Sequence, residues 1–86
     1  MDWMVKVETR LKESILDPQG QAVKKGLDAL GYKGIGDVHV GKYMELELRD
    51  VENKETVAEK VDEMCQQLLA NPVIEDYTFQ IEEMEG

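Results

Sequence analysis

M-V-K-V-E-T-R-L-K, Met4 to Lys12, runs straight into E-S-I-L-D-P-Q-G-Q-A-V, Glu13 to Val23, and the junction reads as a strand handing over to a helix. Val5, Val7, Thr9 and Leu11 fall in phase on one side, with Lys6, Glu8 and Arg10 on the other, the alternation of a half-buried strand. In Asp17-Pro18, the Asp carboxylate can accept from the free amides of a first helical turn. Pro at the first helical position loses no hydrogen bond and has its φ preset. The spacing predicts a helix over Pro18 to Leu30, stopped by Gly31. Its apolar stripe is Val23, Leu27 and Leu30 with Ala22 beside it, and Gly26 within it costs about 1 kcal/mol relative to Ala.

Further along, Val38 and Val40 alternate with Asp37 and His39, and Met44, Leu46 and Leu48 alternate with Tyr43, Glu45, Glu47 and Arg49. With Gly41-Lys42 between them as a turn, these segments are expected to form a hairpin. A second helix is expected from about Lys54 to Ala70, capped by Asn53, with Val57, Val61, Met64, Cys65 and Leu68 at helical spacing. Asn71-Pro72 ends it, and Tyr77, Phe79 and Ile81 mark the inward side of a last strand. Trp3 continues the phase of Val5 and Val7 and is expected to cap the core edge or an interface. The fold class is therefore α+β: one domain over residues 1–86, a ferredoxin-like βαββαβ two-layer sandwich with an antiparallel sheet and both helices on one face. Ile15, Leu16, Val73 and Ile74 are left over at loop positions. They either close the open ends of this core or are buried against another chain, as in a dimer.

A chain of 86 residues buries only about 60 to 65 percent of the surface its unfolded form exposes, so subunit association is a natural supplement to its stability. The formal net charge is −9 and is unevenly placed: residues 1–42 carry a net +1 and residues 43–86 a net −10. Such a field disfavours nucleic acid and anionic membrane surfaces and favours a basic protein partner, although a solvated acidic surface serving solubility is the more ordinary explanation. The one cysteine excludes an internal disulfide and any cluster of thiolate ligands. No apolar run approaches the ~20 residues that span a bilayer, and no leader pattern opens the sequence. A cytoplasmic, untargeted protein is expected.

Chemistry is hard to find. His39 is expected to face outward and Cys65 inward, so the one His and the one Cys cannot form a nucleophile–base pair. Glu55, Glu59, Asp62 and Glu63 fall along a solvated helix face, where nothing pushes two carboxyl pKa values apart. Gly34, Gly36 and Gly41 make neither a dinucleotide fingerprint nor a P-loop. The aromatic platform of RNA binders, the phosphate cradle of acylphosphatases and the cysteines of iron–sulfur carriers are all missing from the residues. Catalytic, cofactor-binding and metal residues are therefore assigned to none.

Three segments in order, L-K-E-S-I-L-D-P-Q-G-Q-A-V (Leu11–Val23), D-V-H-V-G-K-Y-M-E-L-E-L (Asp37–Leu48) and N-P-V-I-E-D-Y-T-F-Q-I-E-E (Asn71–Glu83), resemble the PurS family. These are the small accessory subunits of phosphoribosylformylglycinamidine (FGAM) synthase, and the resemblance covers about Val5 to Glu83. It implies a chain without chemistry of its own that self-associates as a dimer or tetramer and joins two partners. One partner is a glutaminase subunit that releases ammonia; the other is a large synthase subunit that binds ATP, Mg²⁺ and the ribonucleotide substrate. The complex would make the formylglycinamidine ribonucleotide of purine (IMP) biosynthesis, with ADP, phosphate and glutamate. Contacts are then expected at Leu16, Asp17, Pro18, Gln19 and Gly20 near the helix start and at Gly41, Lys42 and Tyr43, although capping alone explains Asp17-Pro18 and turn chemistry alone explains Lys42-Tyr43. The alternative is a stand-alone dimeric regulatory domain that binds a small molecule near Gly34, Gly36 and Gly41 at a subunit boundary.

Overall fold

The structure, a computed structural model, describes residues 1–85. Three strands, β1 (Asp2–Leu11), β2 (Gly41–Leu48) and β3 (Glu75–Met84), form an antiparallel sheet in the order β2-β1-β3. Helix α1 (Pro18–Ala29) lies between β1 and β2, and helix α2 (Lys54–Met64) between β2 and β3. The α+β class, the antiparallel sheet and the two helices are as the sequence predicts.

Register explains the core. Val5 faces Leu46 and Ile81 across the two ladders, Val7 faces Met44 and Phe79, and Trp3 faces Leu48, so every apolar alternation meets on one side of the sheet. Val57, Val61 and Cys65 of the second helical segment close over that side, and Val5, Val7, Val57, Val61 and Cys65 are fully buried. Burying a Val is worth about 1.5–3 kcal/mol. An exposed cross-strand ion pair such as Lys6–Glu82, 3.3 Å apart on the opposite face, is screened by water and adds far less. The inner face therefore holds the sheet together. Trp3 fits the core-edge role: it is buried and its indole Nε1–H donates to the Val51 carbonyl at 2.9 Å.

Three details depart from the sequence expectation. Asp37–Val40, expected as a second strand, has no ladder partner among the described residues, so the sheet has three strands and the second β position of the order is an unpaired segment. Gly41 and Lys42 are not a turn but the first residues of β2, opposite Arg10 and Thr9. The physical reason is competition for one amide: Val40 N–H donates to Asp17 Oδ2 at 2.9 Å, which ties this segment to the start of α1. The second helix also changes register, from α over Lys54–Met64 to π over Cys65–Leu69, closed by Ala70 N–H to the Cys65 carbonyl.

A fourth departure concerns α1, which was expected beside α2 on the sheet. It makes no extensive contact with either, and Gly20 is its one buried residue. Its stripe of Val23, Leu27 and Leu30 is real but largely uncovered, because periodicity says that a helix face wants cover and not which chain supplies it. The radius of gyration is 16.7 Å, with extents of 51 × 29 × 15 Å. A compact chain of this length would have about 12 Å. Residues 18–40 thus stand out from the sheet as an arm.

Candidate functional site

The base of the arm is where the sequence-predicted contact residues meet. Asp17 is the N-cap of α1: Gly20 N–H donates to its Oδ1 at 2.8 Å, and Gln21 N–H donates to its carbonyl at 3.0 Å to begin the helix. Its second carboxylate oxygen takes the Val40 amide, just before β2. One buried side chain therefore ties the first sequence group, Leu16–Gly20, to Val40, the residue before the second group, Gly41–Tyr43. The amides of Gly20 and then Val40 hold the Asp17 carboxyl below the usual carboxylate range. A Cβ on Gly20 would collide with the Val38 carbonyl oxygen, so only glycine lets the helix start and the returning chain lie this close.

Around that junction the surface is mixed. Glu13, Ser14, Ile15, Leu16, Asp17, Gly20, Gln21, Lys24, Asp37, Val38 and His39 line an open groove of about 390 Å³. Leu16 is 67% exposed, and Pro18 and Gln19 are also exposed. Gly41 opens β2 and allows the close approach of Thr9, whose carbonyl oxygen occupies the place of a Cβ. Lys42 shares the inner side with Thr9, and its ammonium lies 3.5 Å from Glu75 Oε2. Tyr43 points to the opposite, open face beside Glu8 and is exposed. Of the glycines proposed for a small-molecule site, Gly34 and Gly36 lie in the arm and Gly41 lies in the sheet.

Glu75 was missed by sequence reasoning. Its carboxylate accepts from Asn71 N–H at 2.8 Å and from Thr9 Oγ1 at 3.3 Å, besides pairing with Lys42. The Asn71 amide, followed by the Lys42 ammonium, holds its carboxyl below the usual range. Its inward phase with Tyr77, two residues on, was the available signal. Two large apolar residues near the end of the second helix are exposed: Leu68 in its π turn, 83%, and Val73 just after it, 80%. Cys65 is buried, and burial pushes its thiol up. Among the described residues, no three His, Cys, Asp or Glu side chains converge in a way that would hold a metal ion.

This arrangement offers surfaces and one fixed junction, and comparison with known proteins places it. The family described as PurS, phosphoribosylformylglycinamidine (FGAM) synthase, matches residues 4–83. The chain is 49% identical over 82 residues to the phosphoribosylformylglycinamidine synthase subunit PurS of Bacillus subtilis, covering 95% of each. Among solved structures, it is similar to Methanocaldococcus jannaschii PurS, one of the subunits of formylglycinamide ribonucleotide amidotransferase in the purine biosynthetic pathway. That match has a TM-score of 0.77 and 37% identity over 96% of this chain and 99% of the other. It is also similar to a chain of the PurLQS structure of Thermotoga maritima, with a TM-score of 0.85 and 28% identity over 95% of this chain and 99% of that one. A match along nearly the whole length in both sequence and fold means that this chain belongs to the PurS family of FGAM synthase.

Proposed function

We propose that this chain is the small, non-catalytic subunit of FGAM synthase, and that it bridges a glutaminase subunit and an ATP- and Mg²⁺-dependent synthase subunit in the cytoplasm. The family match over residues 4–83 carries the reading. The exposed arm supports it, because a chain that acts by docking needs uncovered surface more than a cleft. Ammonia made in one active site and consumed in another is protonated or lost unless the two openings are held in register. A subunit that fixes their relative position raises the coupled rate without touching a reacting atom.

Leu16, Pro18 and Gln19 at the arm's base, and Gly41, Lys42 and Tyr43 at the start of β2, are the contacts this reading assigns. Asp17 and Gly20 lie beneath them. The uncovered stripe of Val23, Leu27 and Leu30 supports self-association as a dimer or tetramer, since an apolar helix face left in water is a surface awaiting cover. ATP and Mg²⁺ belong to the complex rather than to this chain. The test is reconstitution with the other two subunits. Added in stoichiometric amount, the chain should raise glutamine-dependent synthesis at least tenfold and leave ammonia-dependent synthesis by the large subunit within about twofold. Equal glutamine-dependent rates with and without it would remove the proposal.

A further inference from the structure

We propose that Asp17 and Gly20 are positioning residues that hold the arm of residues 18–40 in a single posture, the posture in which its surface fits the rest of the complex. The inference rests on the bridging function proposed above. Three observations combine to carry it. The arm leaves the sheet at the end of β1 and returns at the start of β2, and between those points α1 makes no extensive contact with the sheet or α2. Packing within the chain therefore does not set its direction. What does set it is one carboxylate, whose two oxygens accept from Gly20 N–H inside α1 and from Val40 N–H on the returning chain, 23 residues away in sequence from Asp17. The third observation is steric: the Val38 carbonyl oxygen fills the space of a Gly20 Cβ, so helix and returning chain are in contact at that point.

With the clamp removed, the arm stays attached at both ends but samples other postures. Its apparent affinity for partners then falls by the fraction of time spent in the fitting one, while the assembled complex, once formed, is unchanged. This gives a signature that general destabilisation does not. In the reconstituted three-subunit assay, Asp17→Ala should raise the concentration of this chain needed for half-maximal glutamine-dependent synthesis about tenfold and leave the plateau rate unaltered. Asp17→Asn retains one acceptor oxygen and should fall between wild type and Asp17→Ala. Gly20→Ala, which opens the junction from the helix side, should match Asp17→Ala, and the double variant should be no worse than either single one, since both act on one contact.

Hydrogen exchange on the full chain reads the clamp directly. The Gly20 and Val40 amides should exchange at least tenfold faster in Asp17→Ala. The sole tryptophan, Trp3, is buried eight residues along β1 from Leu11, roughly 27 Å at strand spacing, and its emission reports the sheet independently. Should Asp17→Ala disturb that emission, Asp17→Asn carries the comparison. Faster exchange with an unchanged half-saturating concentration would overturn the proposal, as would a reduced plateau at unchanged half-saturation or unchanged exchange at both amides. A wild-type chain with no effect on glutamine-dependent synthesis would instead remove the bridging function itself.

Discussion

Trp3 and Glu75 sit at opposite ends of the same inner face, and each does a job that a single substitution can test. Trp3→Phe removes the donor to the Val51 carbonyl and part of the ring, so a loss of about 1–3 kcal/mol is expected in urea unfolding followed by circular dichroism. Asp17 and Glu75 act through charge. A carboxyl whose folded pKa is depressed binds fewer protons folded than unfolded; its stabilisation is complete above the unfolded value near 4 and vanishes as pH falls through the folded value. Unfolding midpoints should therefore be insensitive to these two groups between about pH 5 and 8 and decline below about pH 4. In Asp17→Asn/Glu75→Gln that acid limb should flatten, as read by Trp3 emission. Much was legible at this scale, because alternation is a local property: Val5, Val7, Met44, Leu46, Leu48, Phe79 and Ile81 take the sides their spacing predicts. The partners of Glu75 were not legible, since Asn71, Thr9 and Lys42 are brought together by the sheet and not by sequence proximity.

Among the elements, those with chemical start signals were readable. Asp17 caps α1 and Asn53 caps α2, whose Thr56 N–H donates to Asn53 Oδ1 at 2.9 Å, while Gly31, at φ 94°, follows the α1 cap residue Leu30. The expected hairpin failed for a nameable reason. Val38 and Val40 supply only two alternating apolar positions, too few to outweigh a buried carboxylate that takes the Val40 amide. The π turn at Cys65–Leu69 keeps Cys65 inward and leaves Leu68 in water, which a uniform 3.6-residue period over the whole helix cannot foretell. Gly41 is the element-scale residue to test. In Gly41→Ala the new methyl meets the Thr9 carbonyl oxygen where β2 joins β1, so the variant should unfold with a loss of about 1–3 kcal/mol in chemical denaturation.

At the scale of the whole molecule, the core of seven buried residues is small, and a helix with an uncovered apolar stripe stands beside it. Association is the economical way for such a chain to gain further burial. Val23→Asp/Leu30→Asp should lower the sedimentation coefficient to that of a single chain, while leaving Trp3 emission and the core's denaturation midpoint within about 0.5 kcal/mol of wild type. The sequence carried the stripe but not its address: hydrophobic spacing identifies a face to be covered, and the covering surface is set by tertiary and quaternary geometry.

The strand order β2-β1-β3 has one more consequence, for the making of the protein. Of the three strands described, the central one is synthesised first and one of its two neighbours last, with Asp2 opposite Met84. At roughly 5–20 residues per second, Val5 and Val7 wait several seconds on the ribosome before β3 can complete their shelter. Until then the nascent chain has an unfinished ladder on its most apolar strand. A truncation that removes β3 would therefore leave one side of that strand without its ladder.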